Sequence, residues 1–156
     1  MLEIDNTACV LMDVQGKLAE IIHERDSLYS NLSKLIRGMQ ALQIPIIWTE
    51  QSPDKMGRTV PEICDLLEPA RPISKMTFSC CGNEVFMAFL KKLERDQVIL
   101  AGIETHICVY QTVCDLVEMN YEVEVVADAV SSRTALNRQI GLDKIKAGGA
   151  ALTSVE

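Results

Sequence analysis

The feature that most constrains the fold is a regular alternation of short apolar runs with segments of helical periodicity. Four apolar runs recur along the chain: ACVLMDV at 8–14, IPIIWTE at 44–50, QVILAGIE at 97–104 and YEVEVVADAV at 121–130. Strands that alternate with helices form parallel sheets, because each helix carries the chain back across the sheet. The first and third runs are apolar at nearly every position, which is typical of strands covered by helices on both faces.

Two weaker apolar runs and four helical segments complete the predicted fold. The weaker strand candidates are RPISK and AALTS, and the predicted helices cover 27–42, 83–93, 105–120 and 134–147. We therefore expect an α/β protein with a Rossmann-like, three-layer α/β/α sandwich around a mainly parallel sheet of about six strands. The 156 residues show no internal repeat or linker and predict a single domain, 1–156.

One long segment, EQSPDKMGRTVPEICDLLEPARP, holds four of the five prolines of the chain. Its turn-forming residues predict a path over the carboxyl edge of the sheet. Such a segment is either a plain connection or the wall of a pocket, because loops on this edge often carry function.

Composition excludes several classes of partner. The net charge is −7 and no cluster of lysine or arginine is present, so neither nucleic acid nor an anionic membrane is an expected partner. The N-terminal sequence lacks the basic start and cleavage site of a secretory signal, so a cytoplasmic location is expected. With two histidines, no C-x-x-C pair and six cysteines, we expect reduced thiols, no metal site and no cofactor.

Polar residues close the apolar runs, and these residues are the first candidates for a site. In open α/β sheets the ligand crevice lies beyond the carboxyl ends of the strands. Taken singly, a polar residue at the end of a strand is more often a solvated end than a catalytic group. Taken together, these strand-end residues predict a crevice that places carboxylates and an ammonium near the segment GIETHIC. The residues are Asp13, Glu50, Lys75, Glu104 and Asp128.

Cys108 follows the third apolar run, near the start of a predicted helix. With Thr105 as the N-cap, Cys108 is the N3 residue, where free backbone N–H groups and the helix dipole favour a thiolate. The apolar stripe of this helix excludes Cys108; it consists of Val109, Val113, Leu116 and Val117. Position alone leaves two interpretations open, a small hydrophobic residue and a reactive nucleophile.

A nucleophilic cysteine needs a proton acceptor. His106 lies two residues away on the same helix and points elsewhere, and His23 follows the first strand, so a Cys–His pair is not evident. Asp13, at the end of the first strand, is the natural acceptor, and Lys75 would hold it ionised.

At these residues the chain resembles the isochorismatase-like cysteine hydrolases. VLMDVQ resembles the family's aspartate segment, KMTFS its lysine segment and GIETHICVYQTVCDL its cysteine segment, in the same order and at similar spacing over almost the whole chain. The resemblance implies the isochorismatase-like hydrolase fold and a catalytic triad of Asp13, Lys75 and Cys108. It also implies a cis peptide before Glu104, with the backbone N–H groups of Glu104 and Cys108 as an oxyanion hole.

The implied activity is hydrolysis of a small amide or ureide through a thioester on Cys108. Candidate substrate-binding residues beside the three motifs are Gln15, Trp48, Glu50 and Phe78. The sequence WTEQSPD departs from the Asp-x-His metal motif of nicotinamidases, and isochorismatase itself lacks the cysteine, so neither of those two reactions is implied. The family resemblance also predicts a homo-oligomer.

Two other classes of protein remain open from the sequence. A thiol redox or small-ligand-binding protein on the same fold could use the exposed thiol of Cys108 without turnover, and the vicinal pair Cys80 and Cys81 supports that interpretation. A flavodoxin-like or nucleotide-binding domain has weaker support, because the chain has neither a G-x-G-x-x-G motif nor a phosphate-binding loop.

Overall fold

The computed structural model describes all 156 residues. A single parallel sheet of six strands, in the order β3-β2-β1-β4-β5-β6, forms its centre. The strands are β1 (Thr7–Met12), β2 (Ile46–Gln51), β3 (Ile73–Lys75), β4 (Gln97–Ile103), β5 (Glu122–Ser131) and β6 (Ala151–Thr153). All four predicted strands and both weaker candidates are present, and the expectation of a parallel α/β sheet is confirmed.

Seven α-helices connect the strands. They are α1 (Gly16–Glu20), α2 (Arg25–Ala41), α3 (Pro53–Met56), α4 (Pro61–Leu67), α5 (Glu84–Lys92), α6 (Tyr110–Glu118) and α7 (Ala135–Ala147). The four predicted helices correspond to α2, α5, α6 and α7, whereas α1, α3 and α4 are too short to give a periodic signal. None of these helices combines the length and apolarity that a membrane crossing requires.

The sheet separates two hydrophobic cores. Twenty buried residues, including Leu11 and Trp48, pack on the face covered by α2 and α4. Nineteen buried residues, including Val10 and Ile47, pack on the opposite face, under α5, α6 and α7. Because successive side chains along a strand point to opposite faces, neighbouring residues of β1 and β2 belong to different cores.

The candidate residues gather where β1, β2, β3 and β4 end together. Close approach of β1 and β4 at this edge requires glycine at position 102, where φ is +120° and a Cβ atom would lie 2.1 Å from the Met12 carbonyl oxygen. The proline-rich segment folds into α3 and α4 beside this edge, so it is more than a plain connection.

Candidate active site

Asp13 and Lys75 form a buried ion pair at the carboxyl edge of the sheet. The Lys75 Nζ atom lies 2.7 Å from Asp13 Oδ2, and the two side chains are 0% and 5% exposed. A buried ammonium is stable only when it is paired and hydrogen-bonded. The structure therefore brings together two of the three residues that the sequence nominated for the triad.

Three further oxygens surround the Lys75 ammonium besides Asp13. Nζ donates to Gln51 Oε1 at 2.8 Å, to the Phe78 carbonyl at 3.1 Å and to the Thr77 carbonyl at 3.2 Å. The Asp13 carboxylate is the nearest of the four oxygens, at the distance of a charge-assisted contact. Lys75 is thus fully surrounded by acceptors, which fix its position against Asp13.

The two oxygens of Asp13 differ. Oδ1 accepts a hydrogen bond from the Thr49 hydroxyl at 2.8 Å. Oδ2 is buried and has no partner besides the Lys75 ammonium at 2.7 Å. A carboxylate oxygen can accept more than one proton donor, so Oδ2 keeps a lone pair that can accept a proton.

Cys108 lies in a π-helical segment, Thr105–Val109, that precedes α6. The prediction that Thr105 is the N-cap is wrong: Glu104 is the N-cap, and its carbonyl accepts a hydrogen bond from Val109 five residues later. The Thr105 hydroxyl is buried without a hydrogen-bond partner. Cys108 is 8% exposed and packs in the second core, so the prediction that it lies off the apolar surface is also wrong.

The Cys108 thiol is protonated at rest. Burial raises the pKa of this thiol to about 12, and the lowering effect of the Lys75 charge does not compensate for it. The negative charge of Asp13 and hydrogen bonding of the thiol to that carboxylate raise the pKa further. The expected resting thiolate is therefore wrong, because sequence position reports the helix terminus but not the desolvation of the sulfur.

Glu104 connects the cysteine segment to the strand before it. The peptide bond between Ile103 and Glu104 is cis, as the resemblance implied. The Glu104 carboxylate accepts hydrogen bonds from the backbone N–H and the Nε of Arg133, at 3.2 and 3.1 Å. Its side chain is thereby turned to the end of β5.

A pocket of about 410 Å³, counted to its open mouth, gives access to these groups. Its polar lining residues are Asp13, Gln15, Gln51, Glu104 and Cys108. Its apolar lining residues are Leu18, Met56, Phe78, Ile103 and Ile107. Met56 comes from the proline-rich segment, which therefore contributes to the wall.

Of the four candidate substrate-binding residues, two line the pocket and two do not. Gln15 and Phe78 line the pocket. Trp48 packs in the first core and donates its indole N–H to the Thr59 hydroxyl at 2.9 Å. Glu50 is 2% exposed and accepts hydrogen bonds from Thr59 and Arg58, and neither Trp48 nor Glu50 lines the pocket.

Several other candidates lie elsewhere. Asp128 is inside β5 rather than at its end, because that strand continues to Ser131, and it does not line the Cys108 pocket. His106 contacts the Ser132 hydroxyl through Nδ1 at 2.9 Å. All six cysteines are unpaired, and no group of three or more His, Cys, Asp or Glu side chains is arranged to hold a metal ion.

Sequence reasoning missed Thr49 and Gln51, which hold Asp13 and Lys75. Both follow the alternation of β2: Trp48 points into the first core and Ile47 into the second, so Thr49 and Gln51 share the face of Ile47. This alternation was the available signal, because it separates the pair Thr49 and Gln51 from the pair Trp48 and Glu50.

Comparison with known proteins identifies relatives across the whole length of the chain. The sequence model of the isochorismatase domain matches residues 7–156. Isochorismatase domain-containing protein 2 of Danio rerio is 36% identical over 155 residues, which cover 99% of this chain and 78% of that protein.

Solved structures with the same fold include the MAR1 ribonuclease of Caenorhabditis elegans, at 37% identity and a TM-score of 0.91, covering 99% of this chain and 79% of that one. YcaC of Escherichia coli, an octameric hydrolase of unknown specificity, is 26% identical with a TM-score of 0.92, covering 98% and 77% of the two chains. YcaC of Pseudomonas aeruginosa, determined with covalent acrylamide, is 25% identical with a TM-score of 0.93, covering 99% and 78%.

Proposed function

Because the chain belongs to the isochorismatase family, we propose that it is a cysteine-dependent hydrolase of small amides or ureides. The single observation that carries this proposal is the arrangement around Asp13. Its Oδ2 atom has no partner besides a buried ammonium at 2.7 Å, and it belongs to a carboxylate that interacts with the Cys108 thiol. This arrangement supports Cys108 as the nucleophile, Asp13 as the base and Lys75 as its charge partner.

In the proposed first step, the thiol proton moves to Asp13 as the Cys108 sulfur attacks the substrate carbonyl carbon. The backbone N–H of Glu104 donates to no acceptor within the chain, so it is available to bind the developing oxyanion. The Cys108 N–H is the second proposed donor. A single donor of this kind contributes about 10²- to 10³-fold in rate.

The proposed second step breaks the C–N bond. Asp13 returns its proton to the leaving nitrogen, which departs as ammonia or an amine and leaves a thioester on Cys108. Water then attacks the thioester, Asp13 accepts the water proton and passes it to the departing sulfur, and the free acid leaves. Throughout, Lys75 stabilises the ionised form of Asp13 by its charge.

Two relatives support parts of this proposal. The Pseudomonas aeruginosa YcaC structure contains covalent acrylamide, a small molecule with an electrophilic alkene, which supports a reactive nucleophile on this fold. The Escherichia coli YcaC protein is an octameric hydrolase. We extend the proposal to a homo-oligomeric assembly of this chain on that basis.

RNA cleavage is a second candidate, raised by the name of the Caenorhabditis elegans relative. Two observations weigh against it for this chain. The net charge is −7, and no lysine, arginine or histidine lines the pocket that contains Cys108. Phosphodiester binding depends on such residues to neutralise the backbone.

The proposal is tested by incubating the protein with a panel of small amides and ureides and measuring ammonia release together with intact mass. We expect an acyl adduct on Cys108 and turnover that is lost in Cys108→Ala. Cys114→Ala is the matched control, since Cys114 is also unpaired and lies outside the pocket lining.

Three results would contradict the proposal. The first is turnover that persists in Cys108→Ala. The second is RNA hydrolysis by the purified protein that depends on Cys108 in the absence of any amide hydrolysis. The third is peroxide-dependent disulfide formation by Cys108 without an acyl adduct, which would favour a redox protein.

A further inference from the structure

The polar groups of the pocket are almost all committed to the protein itself. Gln15 Nε2 donates to the Gln51 carbonyl at 2.9 Å and to the Gly57 carbonyl at 2.6 Å, while its Oε1 accepts from the Gln51 N–H at 2.7 Å. The Gln15 side chain is 1% exposed. A substrate would have to break these hydrogen bonds in order to use this amide.

The second lining amide is committed in the same way. Gln51 Oε1 accepts from Lys75 at 2.8 Å, and its Nε2 donates to the Met76 carbonyl at 3.1 Å. The polar groups left for a ligand are therefore those at the reacting centre, namely the Cys108 thiol, Asp13 Oδ2 and the Glu104 N–H.

The pocket also lacks a free positive charge. Its ten lining residues include two carboxylates, Asp13 and Glu104, but no lysine, arginine or histidine. Lys75, behind the lining, already contacts Asp13 and three hydrogen-bond acceptors. The cations nearest to the pocket are already paired, Lys75 with Asp13 and Arg133 with Glu104. A ligand carboxylate would therefore find no unpaired cation to compensate for the loss of its hydration.

We infer that the acyl part of the substrate is uncharged and apolar, and that its only polar group is the carbonyl that reacts with Cys108. This inference deepens the proposed function and rests on it. The wall supplies the matching surface, because five apolar side chains surround the reacting groups; they are Leu18, Met56, Phe78, Ile103 and Ile107.

The charge preference is measured first by alkylation, which does not require the natural substrate. Iodoacetamide and iodoacetate alkylate Cys108 by the same reaction: a carbon–sulfur bond forms, the carbon–iodine bond breaks to release iodide, and the thiol proton passes to Asp13. The two reagents differ in charge. We expect the rate ratio of iodoacetamide to iodoacetate at Cys108 to exceed that of glutathione by at least about tenfold. A ratio equal to that of glutathione would overturn the inference and leave the proposed function standing.

A charge placed at the mouth of the pocket sharpens this test. Phe78 lines the pocket and is 56% exposed, so Phe78→Lys should lower the Cys108 ratio by at least about threefold. Phe89→Lys adds the same charge on α5, outside the lining, and should leave the ratio within about twofold. Equal effects of the two variants would contradict the inference. Met56→Lys serves in place of Phe78→Lys if that variant fails to fold, because Met56 also lines the pocket.

Matched amides then test the acyl group during turnover. 4-Methylpentanamide, succinamide and succinamate are similar in size and carry an apolar, a polar and an anionic end. We expect kcat/KM to fall in that order, by at least about tenfold at each step. Turnover of succinamate equal to that of 4-methylpentanamide would overturn the inference alone. Failure of iodoacetamide to label Cys108, combined with no turnover of any amide, would overturn the proposed function and the inference with it.

Discussion

Two buried carboxylates at the carboxyl edge of the sheet have similar partners and different surroundings. Asp13 accepts a hydrogen bond from Thr49 at 2.8 Å and pairs with Lys75, while Glu50 accepts one from Thr59 at 2.8 Å. Glu50 also pairs with an arginine, Arg58, at 3.1 Å. Position at the end of an apolar run does not by itself rank one carboxylate above the other; it is the family resemblance that singles out Asp13.

The two carboxylates differ in how fully their oxygens are occupied by hydrogen-bond donors. Both Glu50 oxygens accept hydrogen bonds, since Oε1 receives the Thr59 N–H and hydroxyl and Oε2 receives Arg58. Asp13 Oδ2 has no partner besides the Lys75 ammonium, and Asp13 lines the pocket with Cys108. A satisfied carboxylate anchors a loop, whereas a carboxylate with an unused oxygen beside a thiol can act as a base.

The largest expected difference between the two sites is in reactivity. Asp13→Asn removes the proton acceptor, so we expect amide turnover to fall by about 10³-fold. Glu50→Gln should leave turnover within about threefold, because Glu50 does not line the pocket. Steady-state kinetics measures the turnover of both variants, and circular dichroism confirms that they are folded. Equal losses of turnover in the two variants would contradict the comparison.

The cations should differ in their contribution to stability. Lys75→Met leaves Asp13 buried without its partner, so we expect the free energy of unfolding to fall by about 3–5 kcal/mol. Arg58 is 72% exposed, and Arg58→Met should cost less than about 1 kcal/mol. Urea denaturation measures both values, and a clearly larger loss is expected for Lys75→Met; equal losses would contradict the comparison.

In catalysis, Asp13 and Lys75 should act as one unit. The double variant Asp13→Asn/Lys75→Met is expected to turn over little more slowly than Asp13→Asn alone, because residues that share one task are strongly non-additive. Multiplicative losses of kcat/KM would show instead that Lys75 and Asp13 act independently.

The two threonine hydroxyls should show the smallest effect. Thr49→Val removes the donor that orients Asp13 Oδ1, and a decrease in turnover of about tenfold is expected. Thr59→Val removes the equivalent donor to Glu50 and should lower the free energy of unfolding by about 1–3 kcal/mol without changing kcat. Measuring kcat and unfolding for both variants separates positioning from anchoring.

The sequence predicts the sheet and the four long helices because their apolar periodicity extends over many residues. It does not predict α1, α3 and α4, of five, four and seven residues, since one or two turns carry little periodicity. It nominates Glu50 as a polar strand end but misses Thr49. The alternation of β2 separates Thr49 from Glu50, but it does not say which of the two faces carries the site.

The ionisation of Cys108 could not be predicted from position either. Proximity to a helix N-terminus and to Lys75 favours the thiolate, but burial outweighs both and raises its pKa to about 12. Cys108 belongs to a core that also contains side chains distant in sequence, such as Cys80 and Val130. Local motifs therefore nominate the proposed nucleophile, whereas its protonation state depends on packing.

The most direct test of the account is the pH dependence of Cys108 alkylation by iodoacetamide in the wild type and in Asp13→Asn. A thiol with a pKa of about 12 contains little thiolate at neutral pH, so rapid reaction in the wild type requires Asp13 to accept the proton. The account predicts a nearly level rate between about pH 6 and pH 9 in the wild type. In Asp13→Asn we expect the rate to rise about tenfold per pH unit below the pKa of the thiol, because only free thiolate then reacts. The loss of the Asp13 charge lowers that pKa, so the slope and not the rate at a single pH is the diagnostic. A tenfold rise per pH unit in both proteins would contradict the assignment of Asp13 as the base.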